Sequence, residues 1–213
     1  MELDNIIYPG FNKTLSELNA ISKIKKKSCE IADLTEIEWV RDVLRHRVEE
    51  VGTYDIKFRK PTDEEIKSVS EIVGADTNID ELKINFHKNK RIIGITSGKG
   101  GVGKSTITSL LGIAFDELGK KVGIMDSDIW GYSVPKILGA KFPPIPFNER
   151  IFPSRINNLN VISMDYFVKQ DEAVIWRGPM LHKAIEQFLF EVLWHDIDAV
   201  SYTHLTLPTK RIV

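Results

Sequence analysis

Thr96-Ser97-Gly98-Lys99-Gly100-Gly101-Val102-Gly103-Lys104-Ser105-Thr106 is the stretch on which the reading of this chain turns. Gly98 through Ser105 fit the spacing G-x-x-x-x-G-K-[ST], in which glycine-rich backbone curls so that successive N–H groups point inward at nucleotide phosphates. The loop residues Gly98, Lys99, Gly100, Gly101, Val102, Gly103, Lys104, Ser105 and Thr106 are therefore the candidate nucleotide contacts. Lys104 would reach the β- and γ-phosphates, and Ser105 would offer its hydroxyl to Mg²⁺. The flanks agree with this. Upstream, Lys90 to Thr96 is a short β-branched run that suits a buried parallel strand. Downstream, Ile107, Leu110, Leu111, Ala114, Phe115 and Leu118 recur at the spacing of one helical face, and Gly119 sits where such a helix stops. Strand, loop and helix in that order predict an α/β fold.

Composition limits the alternatives. A chain of 213 residues has room for one α/β domain and a small one, and 42% hydrophobic with 28% charged residues is ordinary for a globular protein. A net charge of −1 leaves no electrostatic footprint for nucleic acid. The single cysteine, Cys29, excludes an internal disulfide and suits a reducing compartment. Met1 to Asn5 is acidic and lacks a basic-then-apolar signal, and no apolar run approaches membrane-spanning length. The expectation is a cytoplasmic protein that uses neither a membrane nor nucleic acid.

Residues 1–60 read as a small α+β domain. Tyr8-Pro9-Gly10 marks a turn, Ile21 to Leu34 carries β-prone pieces, and the basic stretch Lys23 to Lys27 fits a solvated edge strand. Thr35 and Glu38 have capping-box spacing before Ile37, Val40, Val43, Leu44, Val48 and Val51, which share one helical face. Gly52 closes that helix and Tyr54 to Phe58 reads as a strand. Residues 61–89, polar and containing Thr62-Asp63-Glu64-Glu65, read as a helix-bearing linker. Beyond the loop, Lys121 to Asp126 is the next strand, and its end, Asp126-Ser127-Asp128, places carboxylates where an open α/β sheet binds its ligand. Pro143, Pro144 and Pro146 mark an extended connection. Pro179 opens a helix with Leu181, Ile185, Phe188, Leu189, Val192 and Leu193 on its apolar face.

Lys99 to Thr106, with a second lysine inside the loop, resembles the deviant Walker A motif of the MinD/ParA/Mrp group of P-loop ATPases. In that group the extra lysine crosses to a partner's nucleotide, so the resemblance implies an ATP-sandwiching homodimer with Lys99 and Lys104 catalytic. The stretch VGIMDSDIWGYSVPKILG is similar to the Mrp switch I segment, although Tyr132 stands where a proline is usual. On that resemblance Asp126 sits near the Mg²⁺ shell and Asp128 positions the attacking water. Trp176-Arg177-Gly178-Pro179 with LHKAIEQFLFEVLW also resembles Mrp proteins. Arg177 is left between a nucleotide contact and a residue that holds the helix start.

The opening YPGFNKTLSELNAISKI weakly resembles the iron–sulfur-assembly domain that precedes Mrp-type ATPases. The family's cysteine-bearing loop has no counterpart at Asp33-Leu34-Thr35-Glu36, and Cys29 lies earlier, in a strand.

After Asp198 the pattern departs from the family, which continues through an apolar strand into an Asp-Leu-Pro-Pro-Gly segment. Val200 to Thr209 resembles a translated sequencing adapter, so 90–199 is expected to be an incomplete P-loop domain and 200–213 a non-native tail. Such a fragment would lack the central strand and be inactive. Taken together, the expectation is an α/β P-loop NTPase whose mostly parallel, truncated sheet has helices on both faces, preceded by a small α+β domain. The resemblance implies an Mrp/ApbC-type ATPase that hydrolyses ATP with Mg²⁺. It would carry iron–sulfur clusters to recipient apo-proteins, holding the cluster through cysteines not present here. Two alternatives stay open: a MinD/ParA-type partitioning ATPase, and a nucleotide-gated scaffold without catalysis.

Overall fold

The computed structural model describes residues 2–25, 28–83, 91–128, 131–167, 178–194 and 197–203. Arg177 and the stretch 204–213, with its strand-like Leu205-Thr206-Leu207, lie outside them. The chain divides into two units, Met1–Thr77 with Ile145–Phe152, and Asn78–Pro144 with Pro153–Val213. The first unit is thus longer than the expected 1–60 and takes in part of the expected linker.

In the first unit, β1 (Ile7–Tyr8) and β2 (Lys13–Thr14) pair as a small ribbon. A second sheet has the order β3 (Ile21–Lys25), β4 (Ser28–Ala32), β5 (Asp55–Arg59). β3 is at its edge, as the lysine run predicts. α1 (Glu38–Val51) is the crossover between the parallel strands β4 and β5, and it buries Val40, Leu44 and Val48. The capping box is not at Thr35. The N-cap of α1 is Ile37, with no side-chain cap, because Thr35 and Glu36 belong to a loop held by Asp33, whose carboxylate accepts the Glu36 N–H at 3.0 Å.

The true box opens α2 (Asp63–Ile72), where Thr62 and Glu65 satisfy each other's backbone N–H at 3.2 and 2.9 Å. Glu65 also accepts from Arg59 at 2.7 Å, and this guanidinium, aided by the Thr62 N–H, pulls its carboxyl down from 4.5 to about 2. A carboxyl lowered by folding stabilises fully above its unfolded value and loses that contribution as pH falls. Stability should therefore drop more steeply between pH 4.5 and about 2 in the unsubstituted chain than in Glu65→Gln, as read from urea midpoints across that range. Equal slopes would show that the pair contributes nothing.

The second unit begins with β6 (Arg91–Ile95), the phosphate-loop stretch and α3 (Lys104–Glu117), followed by β7 (Val122–Asp126) and the short α4 (Val134–Leu138). A hairpin of β8 (Ile145–Phe147) and β9 (Arg150–Phe152) then belongs to the first unit, where Phe147 and Phe152 stack on Phe11 at 5.1 and 4.3 Å. Buried Arg150 fixes it further by donating to the carbonyls of Ala75, at 3.1 Å, and Thr77. β10 (Ser154–Ile156), β11 (Leu159–Ser163), α5 (Gly178–Phe190) and β12 (Ala199–Thr203) complete the second unit. Its sheet runs β10-β11-β7-β12-β6, parallel except where β10 meets β11.

Elements pack on both faces of that sheet, and two neighbouring residues of β7 show it. A Cβ at Gly123 would lie 2.7 Å from Trp194, just after α5, while Ile124 on the opposite face comes within 2.5 Å of a Cβ placed on Gly112 of α3. A side chain at Gly112 would force the end of Ile124 to move.

The same approach corrects the helical reading. The buried side of α3 is Lys104, Thr108, Ser109 and Gly112, while Ile107, Leu110 and Leu118 are exposed. Small residues set the first part of the helix on the sheet; of the expected apolar face Phe115 packs against the core, while Ile107, Leu110 and Leu118 turn away.

β6 is also an edge strand among the described strands, with much of it exposed, rather than a buried one. The central position beside it is filled: β12 runs across the expected boundary at 199/200 and pairs in parallel with both β6 and β7. The expected gap in the middle of the sheet is therefore absent. β12 is registered by Asp198, whose backbone N–H donates to Lys121 O at 2.8 Å and whose carboxylate accepts the Lys121 N–H at 3.0 Å.

Candidate functional site

The loop between β6 and α3 turns through two left-handed residues, Gly101 at φ 73° and Gly103 at φ 91°. A side chain at either would be strained, which is the local reason for glycine there. Nothing lies within 4 Å of a Cβ built on Gly98, Gly100, Gly101 or Gly103, so the glycines leave open space. That space is a cavity of about 370 Å³ lined by Gly100, Gly101, Gly103, Lys104, Ser105 and Thr106 of the loop and helix start, with Asp128, Gly131 and Ser133 from the β7–α4 turn.

Lys104 is 7% exposed and its ammonium lies 3.4 Å from Asp128, so one cation and one carboxylate meet at the cavity. Its backbone carbonyl accepts from Thr108 at 2.9 Å, within the first turn of α3. Gly98, Lys99 and Val102 stand on the same loop but do not line the cavity, and Lys99 is exposed. Ser97 turns its hydroxyl onto the Lys99 carbonyl at 2.7 Å, which braces that part of the loop.

Asp126 occupies a different place from Asp128. It is fully buried, and its carboxylate accepts the N–H groups of Ser133 and Val134 at 3.0 and 3.1 Å, the Thr203 hydroxyl at 2.8 Å and the Ser163 hydroxyl at 3.4 Å. Burial pushes its carboxyl up, opposed by the Thr203 hydroxyl and by the amides of Val134, Ser133 and Asp128. It does not line the cavity. Its donors are protein groups that tie β12, β11 and the start of α4 to the end of β7.

Ser127 strengthens the same junction. Its N–H donates to the Thr203 hydroxyl at 3.2 Å and its own hydroxyl donates to the Thr203 carbonyl. Fitted against these donors, the two Mg²⁺ candidates differ: Ser105 lines the cavity, whereas the oxygens of Asp126 already accept hydrogen bonds from the Ser133 and Val134 amides and the Thr203 and Ser163 hydroxyls.

Sequence reasoning missed Gly131 and Ser133 as wall residues. The signal was present in the turn Gly131-Tyr132-Ser133, which follows the aspartates and has to fold back over them to start α4. A Cβ on Gly131 would come within 3.4 Å of the Asp128 carboxylate, so the turn closes tightly on that acid.

Elsewhere, Cys29 is buried on β4 and burial raises its thiol. Among the described residues no group of three or more His, Cys, Asp or Glu could hold a metal ion, and no helix is long and apolar enough to cross a membrane.

A glycine loop between a parallel strand and a helix, with lysine and carboxylate meeting at its cavity, defines a P-loop nucleoside-triphosphatase fold. Residues 88–201 match the sequence model of the family described as ParA, the NUBPL iron-transfer P-loop NTPases, and the chain belongs to that family.

Curated relatives include an iron–sulfur cluster carrier protein of Mycobacterium leprae, 44% identical over 118 residues, 55% of this chain and 30% of the relative. Another, from Helicobacter pylori and with the same description, is 31% identical over 205 residues, 93% of this chain and 54% of the relative. The chain thus spans from 30% to 54% of the length of these two proteins. A solved nucleotide-binding protein from Archaeoglobus fulgidus in complex with ADP is 30% identical, with a TM-score of 0.48, covering 59% of this chain and 48% of its own.

Proposed function

We propose that this chain binds ATP in the loop cavity and is the nucleotide-handling part of an iron–sulfur cluster carrier. The observation that supports it most is the cavity itself, with Lys104 and Ser105 on the loop side and Asp128 from the β7–α4 turn. The loop amides and Lys104 bind and orient the phosphates, and Asp128 holds the water for in-line attack on the γ-phosphate. Ser105 is the direct protein donor for Mg²⁺, which when bound would neutralise charge on the β- and γ-oxygens. Asp126 acts from behind by fixing the turn.

Lys99, exposed at the loop, reaches the phosphates of a second copy in a homodimer. The cluster is cargo for recipient apo-proteins. A bound cluster needs several thiolates, so its ligands are cysteines other than buried Cys29.

One observation favours the scaffold reading as a second possibility. At the end of β12, beside Asp126, stands the Thr203 hydroxyl, where the resemblance expects an aspartate. Labelled-ATP binding and Mg²⁺-dependent phosphate release by the chain separate the cases. Binding with release supports the ATPase, binding without release supports the scaffold, and no binding overturns both. If Lys99 acts across a dimer, Lys99→Ala lowers release more than binding, and mixing it with a second inactive variant restores part of the release. No recovery in confirmed hybrids would remove that role.

A further inference from the structure

Among the described residues, three outside the phosphate loop and its helix line the cavity: Asp128, Gly131 and Ser133. A phosphate oxygen reaching that wall meets a carboxylate, which repels it, a glycine without a side chain, and a serine hydroxyl. Of these three, Ser133 is the one whose side chain can donate a hydrogen bond to an anion.

Its hydroxyl is not used to build α4. Ser133 is the N-cap residue of the five-residue helix, yet its side chain makes no capping hydrogen bond. Serine is favoured at that position because its oxygen normally takes an amide of the first turn. Here Asp126 has taken over the work: its carboxylate accepts the Ser133 and Val134 N–H groups at 3.0 and 3.1 Å. The two amides are turned to a buried acid, and the serine side chain is left to the cavity.

The backbone under it is also held from several sides, since Asp126 is tied to Thr203 and Ser163 as well. A side chain on so fixed a turn meets a ligand at little cost in entropy.

Resting on the nucleotide reading above, we propose that the Ser133 hydroxyl is a contact for the terminal phosphate of a nucleoside triphosphate and lets the site tell triphosphate from diphosphate. The loop amides embrace the phosphates that both nucleotides share. The third phosphate extends past Lys104 to the β7–α4 turn, and there Ser133 donates to one of its oxygens.

The test measures dissociation constants of ADP and of the non-hydrolysable β,γ-imido analogue of ATP, with Mg²⁺, for the chain and for Ser133→Ala and Ser133→Thr. A hydrogen bond to a charged group contributes about 1.5–3 kcal/mol, so loss of the hydroxyl should weaken the imido analogue by about tenfold or more. ADP affinity should stay within about twofold, and Ser133→Thr, which keeps the hydroxyl, should restore most of the difference. A parallel loss for both nucleotides, accompanied by a lower melting temperature, would assign Ser133 a structural role and overturn the proposal. So would unchanged affinity for both. If the unsubstituted chain binds neither nucleotide, the cavity reading itself fails, and that result is visible before any variant is made.

Discussion

Lys104→Met should reduce ATP affinity by about 100-fold or more and leave no measurable phosphate release. The methionine keeps most of the buried stem, so the change isolates the ammonium from the packing. The Lys104 side chain is 7% exposed and its ammonium lies 3.4 Å from Asp128, where a charge is poorly screened and a charge-assisted bond to phosphate is at the strong end of its range, about 3 kcal/mol. The fold should survive with a modest loss, because Thr108 bonds to the Lys104 backbone and not to its side chain. Equilibrium dialysis with labelled ATP gives the affinity, and a thermal melt confirms folding. Equal affinity in a folded variant would show that nucleotide does not sit in this cavity.

The same lysine shows what can be read from sequence. The loop is legible because it needs glycine at special backbone angles and fixed spacing to lysine and serine, so Gly101, Gly103, Lys104 and Ser105 stand in plain view. The order strand, loop, helix, strand is legible for the same reason, and the α/β fold follows from it.

The buried face of α3 is not. Periodicity points to Ile107, Leu110, Leu111, Ala114, Phe115 and Leu118; Phe115 does pack against the core, but the fully buried positions are Lys104, Thr108, Ser109 and Gly112, because close helix–sheet approach selects small size over hydrophobicity. The capping box at Thr62 and the N-cap at Ile37 are a second case. Two stretches share one spacing, and the local turn in which Asp33 accepts the Glu36 N–H keeps Thr35 outside the helix. Long-range assignments are the least visible. Nothing local in Ile145 to Phe152 says that this hairpin packs on Phe11 rather than with its sequence neighbours.

The two aspartates of Asp126-Ser127-Asp128 look alike in sequence and separate only in three dimensions. Adjacent positions at a strand end differ in environment because one closes the core and the next opens to the ligand. Asp128 meets Lys104 at the cavity, and Asp126 is enclosed by Ser133, Val134, Ser163 and Thr203.

Asp126→Ala should accordingly be the most destabilising single change among those considered. It leaves the part-buried Ser133 amide, the buried Val134 amide and two buried hydroxyls without their acceptor, and each unsatisfied buried group costs about 1–3 kcal/mol. A total of about 3 kcal/mol or more corresponds to a melting temperature lower by roughly 6–12 °C in a chain of this size. Nucleotide binding should fall with it, since Ser133 and Gly131 lose the anchor that holds them at the cavity.

Asp126→Asn separates this structural role from a metal-binding one. The amide oxygen can still accept from Ser133 and Val134, and the amide nitrogen can face the Thr203 hydroxyl. Burial already pushes the Asp126 carboxyl up, so the fold favours its protonated form. For a raised carboxyl, stability falls as pH rises from the ordinary carboxylate range through the raised value. The asparagine variant should lack that slope and keep most of the stability at neutral pH. The comparison is a set of melts of the three proteins across pH, with ATP affinity measured with and without Mg²⁺. If Asp126→Asn melts like the unsubstituted chain but loses only the Mg²⁺-dependent part of ATP affinity, the carboxylate serves the metal directly and the anchoring role is secondary. If it retains both, the charge of Asp126 is dispensable and its geometry is what the site requires.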